Sequence, residues 1–290
     1  MSMVTQDDAD IMLRSLEIFD NELRIFVDRY DDMYLAGSQA EKEVNDFTDS
    51  STVKTVYARS SIFHETIKEH FTALYRVLLK PSCILAAITC TRTILELSAK
   101  DMWLLDRDIN VRERVGRSFA LRYSDLEQQR KFAKSLNMAE GETLVNERID
   151  SVENDALKLG YCQMLGKNGK SKGKRVGIGT TVPNNTDMIK NILEGKEDYR
   201  FLSAIVHGQM GTTIATAFKE IPDSNILEKH AHEETVYYLF QTGPILLSRI
   251  VWNKAQFYGW DVNKWEAVIQ PVFDTLGISE QNLSWMKPST

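Results

Sequence analysis

Apolar residues recur at helical spacing along most of the chain, whereas runs in which polar and apolar residues alternate are scarce. Glycine and proline are sparse before residue 160, as expected for long helices. The pattern predicts an all-α helical bundle that forms a single domain over residues 1–290. Its long helices are predicted at about 8–35, 53–79, 82–105, 108–136, 140–159, 229–257 and 261–276.

The pattern also predicts where helices begin and which faces they bury. Asp108 and Asp261 precede helical windows and are expected to be N-caps, because an Asp side chain accepts hydrogen bonds from unpaired backbone N–H groups. Residues 37–51 are polar and are expected to connect two helices. The first helix is expected to bury an apolar stripe made of Ile11, Leu16, Ile18, Phe19, Leu23, Phe26 and Val27.

The window 82–105 is apolar almost all round, which indicates a helix at the centre of the bundle. Arg92 and Glu96 are four residues apart in it and therefore share a face. Burying either charge alone would be costly, so the two are expected to pair with each other or with groups of a neighbouring helix. Such a pair could fix the register of the helix or line a polar pocket.

The helical pattern stops between about residues 161 and 185. This segment is rich in glycine and lysine and is predicted to be a flexible, exposed loop. Gly169-Lys170-Ser171 matches the end of a phosphate-binding P-loop, but Met164 stands where that motif needs a glycine. A cationic loop can still bind a nucleic-acid backbone, although it could also be a solvated insertion without a role. The residues expected to bind RNA are Lys167, Lys170, Lys172, Lys174 and Arg175.

Composition and charge exclude several classes of protein. The net charge of −6 argues against a protein that coats nucleic acid, and residues 1–50 carry 13 acidic side chains against four basic ones. Three cysteines without close spacing fit a reducing cytoplasm. The longest apolar run, 235–248, is interrupted and is shorter than the ~20 residues that span a bilayer. A cytoplasmic protein without a membrane partner is therefore expected, with a loose tail from about residue 279.

Neither a metal ion nor another cofactor is predicted. His64-Glu65 matches the start of a zinc-protease motif, but Lys68 stands where the second histidine belongs. His230 and His232 would diverge on a helix, so they are expected to begin a surface helix rather than to bind a metal.

The stretch 199–208 combines a cation, a hydroxyl and an imidazole in an otherwise apolar segment, and is predicted to form a short helix that ends at a glycine. Arg200 and His207 are seven residues apart and so point the same way, with Ser203 between them and Tyr199 nearby. Histidine titrates near neutral pH, and arginine is a fixed cation for phosphate oxygens. Together they could cleave RNA without a metal. The histidine would move the proton of the 2′-hydroxyl or of the leaving group, and the arginine would stabilise charge on the phosphorus.

An arginine followed after six residues by a histidine, late in an all-α chain, resembles the HEPN superfamily, and Arg200 to His207 fits that spacing. The resemblance implies metal-independent endoribonuclease activity, since many HEPN proteins are RNases of toxin, RNA-processing or antiviral defence systems. In that family two protomers, or two domains, bring their paired arginine and histidine together, and a homodimer is expected here. Polar groups are expected to support the site, and the residues nominated for this role are Tyr199, Ser203, Arg92 and Glu96.

Two features leave another function open. Arg59 and His64 form a second arginine–histidine pair at a spacing that the family allows, so spacing alone does not identify a site. Phe201 follows the arginine where active HEPN enzymes often have a polar residue, which would fit an inactive scaffold. The alternative is a non-enzymatic interaction or sensor module that binds a protein partner or an anionic ligand. The acidic N-terminal helix would then be its contact surface.

Overall fold

The computed structural model of the chain describes residues 6–30, 33–78, 83–166, 171–222, 224, 226–230 and 232–279. Within these residues the structure has eleven helices and two short antiparallel strand pairs, which confirms the predicted all-α fold. Lys167, Lys170 and almost all of the predicted loose tail lie outside the described residues. No helix in the described ranges is both long and apolar enough to cross a membrane.

The long helices, and the short helix predicted within 199–208, lie close to where the sequence pattern predicts them, while the short strands were not predicted. In chain order the elements are α1 (Gln6–Tyr30), α2 (Gln39–Asp46), α3 (Ser50–Leu78), α4 (Ile84–Leu104), α5 (Val111–Ser135), α6 (Ala139–Lys158), β1 (Gln163–Leu165), β2 (Arg175–Ile178), α7 (Asn185–Leu193), α8 (Lys196–Val206), α9 (Met210–Ala217), β3 (Phe218–Glu220), β4 (Leu227–Lys229), α10 (Glu233–Tyr258) and α11 (Val262–Thr275).

Backbone contacts divide the chain into two compact units, and each is assembled from separate segments of the sequence. The first unit draws on Met1–Lys42, Ser60–Leu105 and Asn185–Thr290, and the second on Glu43–Arg59 and Asp106–Asn184. The organisation as a single domain stays a prediction.

α4 is the central helix of the first unit, as its apolar sequence predicts. It packs against α7, α8 and α10, and its residues Ile88 and Leu104 are completely buried. α1 packs against α11 through an aromatic cluster that also includes α3. The Phe19 ring of α1 lies edge to face 5.4 Å from the Phe71 ring of α3 and 5.9 Å from the Trp265 ring of α11. α8, which carries the predicted catalytic pair, therefore rests on the central helix of a well-packed unit.

α1 buries one apolar stripe and exposes another. Leu16 and Phe19 face the core, as predicted. Ile11 and Ile18 were predicted to face it as well, but they are 52% and 54% exposed, and Ile25 is 47% exposed. The prediction for Ile11 and Ile18 was wrong because α1 is apolar on more than one side, and the sequence does not say which side the core covers. The three isoleucines are seven residues apart and share the outer face of the helix.

One of the two predicted N-caps is confirmed, and the other lies two residues further along the chain. The Asp261 side chain accepts a hydrogen bond from the backbone N–H of Lys264 at 3.3 Å and caps α11, which confirms that prediction. The prediction that Asp108 caps α5 was wrong. Asn110 is the N-cap, and its Oδ1 accepts from the backbone N–H of Glu113 at 2.9 Å. The reason is that α5 begins at Val111, so Asn110 is the side chain next to the unpaired N–H groups.

Two segments predicted to be irregular contain regular structure. The predicted connector 37–51 holds α2, and the predicted loop 161–185 holds the antiparallel pair β1–β2, in which Gln163 pairs with Ile178. β2 packs against α5, and Ile178 is buried. A two-stranded pair is marginal by itself and needs packing against another element, here α5. Its short strands carry too few apolar residues for the sequence pattern to predict them.

A buried ion pair joins α2 to α5 in the second unit. The completely buried Arg114 donates from Nε to Oε2 of Glu43 at 2.9 Å and from Nη2 to Oε1 at 3.1 Å. The Tyr57 hydroxyl of α3 donates to the same Oε2 at 3.2 Å. Three helices are thus held by one carboxylate.

Candidate functional site

α8 places its apolar side against α4. Tyr199, Leu202 and Ile205 are buried, and their spacing of three residues puts them on one face. The helix ends with His207 as its C-cap, and Gly208 follows with φ of +69°. Glycine is favoured in this left-handed conformation, so the predicted helix end at Gly208 is confirmed.

Arg200 and His207 lie exposed on the solvent side of α8, with the half-buried Ser203 between them. Seven residues of helix separate two side chains by two turns, or about 10 Å along the axis. The Arg200 and His207 side chains form no hydrogen bond or ion pair with any other residue that the structure describes. Both are therefore accessible to a ligand or to a second molecule.

Three of the four residues nominated to support the site do come together. Arg92 donates from Nε to Oε1 of Glu96 at 3.0 Å, and the Arg92 guanidinium lies 5.6 Å from the centre of the Tyr199 ring. The ring contact attaches α8 to α4, while the ion pair lies within α4 and holds the Arg92 guanidinium. The hydrogen bond and the ring contact of this cluster do not include Arg200 or His207. The cluster can position α8 but does not itself touch the predicted catalytic pair.

Two cavities in the first unit adjoin α8, and neither is lined by Arg200 or His207. One of about 1020 Å³ is lined in part by Phe201 and Tyr238, and one of about 500 Å³ in part by Asp198 and Tyr238. Burial raises the pKa of the Tyr238 phenol, and the nearby Asp198 carboxylate raises it further. The predicted catalytic pair thus lies on an open surface rather than inside a pocket.

The basic residues of the predicted RNA-binding segment differ in what surrounds them. Lys172 and Lys174 are exposed between β1 and β2. Arg175 instead forms an ion pair with Glu153 of α6, and its guanidinium lies 5.5 Å from the centre of the Tyr123 ring. Arg175 therefore serves the packing of the second unit, which leaves the two exposed lysines as the described cations of this segment that can reach RNA.

The second arginine–histidine pair does not form a surface site. His64 is completely buried, and neither ring nitrogen has a hydrogen-bond partner in the described chain. Burial lowers the pKa of His64 well below its usual value, and the nearby charges of Lys254 and Lys68 lower it further. Arg59 donates from Nη1 to the Ser118 carbonyl at 3.0 Å in the second unit. A neutral, enclosed imidazole cannot act on a substrate at the surface.

His230 and His232 lie next to each other, with ring centroids 5.1 Å apart. His232 is the N-cap of α10, where the sequence predicted the start of a surface helix. Among the residues that the structure describes, no group of three His, Cys, Asp or Glu side chains is placed to hold a metal ion.

A third cavity, in the second unit, was not predicted. It has a volume of about 660 Å³ and is lined by residues of α3, α5 and α6, among them Arg59 and Arg122. Helical spacing places Thr55 with Arg59 on one helix and Ser118 with Arg122 on another. This spacing is all that the sequence indicates of the cavity, because no local pattern shows that these faces of α3 and α5 line the same space.

No protein-family model, curated protein or solved structure matches this chain. The HEPN resemblance therefore stays a prediction that rests on Arg200, His207 and the all-α fold. The homodimer, the cytoplasmic location and a role in a toxin or defence system stay predictions as well.

Proposed function

We propose that the protein is a metal-independent endoribonuclease with Arg200 and His207 as its catalytic residues. The observation that supports this most directly is the exposure of both side chains on one side of α8, without partners among the described residues. Such groups can reach an RNA phosphate without first breaking contacts within the protein. The imidazole moves a proton to or from the reacting oxygens, and the guanidinium stabilises negative charge that develops on the phosphoryl group.

The proposed enzyme acts as a homodimer. RNA cleavage needs a base for the 2′-hydroxyl and an acid for the leaving oxygen, and two copies of His207 can supply both. Val206 is 37% exposed and Met210 74% exposed beside His207, so an apolar surface adjoins the catalytic pair. Contacts between proteins often cover such surfaces. A two-fold axis next to α8 would bring two Arg200–His207 pairs together.

In this proposal the remaining nominated residues have supporting roles. Arg92, Glu96 and Tyr199 are positioning residues, because the contact of Arg92 with Tyr199 attaches α8 to α4 and Glu96 holds the Arg92 guanidinium. Lys172 and Lys174 hold the RNA backbone through charge, so binding weakens as the salt concentration rises.

The proposal is tested by incubating a single-stranded RNA with the purified protein in EDTA. We expect cleavage by the wild type and a loss of about 100-fold or more in His207→Ala and in Arg200→Ala, since acid–base catalysis contributes about 10²–10⁴ in rate. His230→Ala is the matched control, because it removes an exposed histidine from another part of the first unit. Circular dichroism should show the same helix content in all variants. Undiminished cleavage by His207→Ala would refute the assignment.

A second candidate function, a non-enzymatic interaction module, is supported by the outer face of α1. Ile11, Ile18 and Ile25 form an exposed stripe with a period of seven residues, the period at which one of the two apolar positions of a helix-pairing heptad recurs. A second copy fits this face when the helices run antiparallel. Ile18 then meets its own counterpart, Ile11 meets Ile25, and Arg14 of one copy lies opposite Glu22 of the other.

Substitution tests this candidate better than deletion, because Leu16 and Leu23 on the inner face of α1 are completely buried. Light scattering after size exclusion should find a dimer of the wild type and a monomer of Ile18→Glu. Ile62→Glu is the control, since Ile62 is 65% exposed on α3. A monomeric wild type, or a dimer that survives Ile18→Glu, would rule out pairing through α1.

A further inference from the structure

The cavity of the second unit has the size of a small-molecule site. Its volume of about 660 Å³ falls within the ~300–1,000 Å³ typical of ligand pockets. The first turns of α3 supply hydroxyl groups, α5 supplies Val115 and Phe119, and α6 supplies Val152. Polar and charged residues outnumber the apolar ones in the lining, so the cavity suits a polar ligand.

Two guanidinium groups share this cavity. Arg59 donates to the carbonyl of Ser118, and Arg122 follows one turn later on α5. Burial lowers the pKa of Arg59, the nearby Asp125 carboxylate opposes that shift, and the Arg122 charge adds to it. Neither Arg59 nor Arg122 forms an ion pair with a carboxylate in the described residues. Two like charges are therefore held close together on the wall of a partly enclosed space.

The acidic groups that line the cavity are already engaged. Asp49 accepts from the Ser51 backbone N–H at 3.0 Å, from the Ser51 hydroxyl at 2.6 Å and from the Thr52 hydroxyl at 2.7 Å. Asp155 forms an ion pair with Lys158 at 3.0 Å. Asp49 keeps its negative charge, but the lining holds three basic residues against two acidic ones, so the cavity has a net positive charge that the two arginines contribute.

The hydroxyl groups of α3 indicate what else a ligand would carry. The Ser51 and Thr52 protons are donated to Asp49, and the Thr55 hydroxyl donates to the Ser51 carbonyl at 3.0 Å. These oxygens can therefore only accept further hydrogen bonds. A ligand that matches the cavity has an anionic group for the arginines and hydroxyl donors for α3.

We propose that this cavity binds a small organic phosphate, with its phosphate group on Arg59 and Arg122 and its hydroxyl groups towards Ser51, Thr52 and Thr55. Arginine presents a planar set of N–H donors that matches phosphate oxygens. An inorganic phosphate ion would leave most of the cavity unfilled. The site belongs to the second unit and does not depend on the ribonuclease proposal.

Isothermal titration of the full chain tests this site, with ribose 5-phosphate, ribose and inorganic phosphate as separate probes. We expect ribose 5-phosphate to bind more tightly than inorganic phosphate, and ribose not to bind. Arg122→Gln should weaken binding of ribose 5-phosphate about 10-fold or more, because it removes charge-assisted hydrogen bonds. Arg148→Gln is the matched control, since Arg148 is an exposed arginine of α6 that does not line the cavity.

Arg122 is half-buried and holds no other residue in place through an ion pair, so Arg122→Gln should unfold at the same temperature as the wild type without ligand. Its RNA cleavage should also be unchanged, which separates this site from the one on α8. The site is overturned if ribose 5-phosphate does not bind, or binds equally well to Arg122→Gln. Equal affinity for inorganic phosphate would overturn the assignment to an organic ligand.

Discussion

Removing the Glu43 carboxylate should destabilise the second unit more than any exposed substitution does. Glu43→Ala deletes the acceptor of two hydrogen bonds from Arg114 and of one from the Tyr57 hydroxyl. The side chain of Arg114 is 0% exposed and that of Glu43 8% exposed, so water cannot take the place of the lost carboxylate without a rearrangement.

The expected magnitude follows from the charge that remains. Leaving one member of a buried ion pair without its partner costs about 3–5 kcal/mol, because the remaining ion keeps its desolvation cost and loses its compensation. Glu43→Gln retains one acceptor oxygen but not the charge, and should lose less. Adding Arg114→Met to Glu43→Ala should restore part of the stability, since no uncompensated ion is then buried.

Urea unfolding followed by far-ultraviolet circular dichroism measures these losses as changes in the midpoint at constant slope. Asp155→Ala is the control, because it breaks an exposed ion pair in the same unit, in which Asp155 is 58% exposed. Its effect should stay within about 0.5 kcal/mol, as for other surface pairs. A loss below about 1 kcal/mol in Glu43→Ala would refute the role of this pair, on the scale of known buried pairs.

Three further outcomes are expected. The unfolded chain protonates His64 below about pH 6.5, whereas the folded chain resists protonation because burial lowers the pKa of His64. The free energy of unfolding should therefore fall towards acid pH by up to ~1.4 kcal/mol per pH unit. In urea unfolding, His64→Leu should show a shallower fall. Gly243→Ala should destabilise the protein by about 1–3 kcal/mol in thermal melts, because the added Cβ would lie 2.9 Å from the Phe71 ring. Gly211→Ala is the control, since a Cβ there meets nothing within 4 Å, and it should be neutral or stabilising. Asn110→Ala should cost about 1 kcal/mol in urea unfolding through loss of the α5 cap.

The candidate site was predictable only in part. The spacing of Arg200 and His207 and the glycine that follows were enough to predict a helix with both side chains on one side, because this depends on local backbone geometry alone. The ion pair of Arg92 with Glu96 was predictable for the same reason. That Arg92 and Glu96 do not contact Arg200 or His207 was not predictable, since it depends on how α8 lies against α4.

The sequence alone determined the all-α class, the approximate bounds of the long helices and the cap at Asp261, because apolar periodicity and capping act over a few neighbouring residues. Only the tertiary structure decided which stripe of α1 is buried, and that Arg175 packs against Tyr123 while Lys172 stays exposed. Only it brought Arg59 and Arg122 together across one cavity. The physical reason is that burial and ion pairing depend on contacts between segments far apart in the chain, which local patterns do not specify.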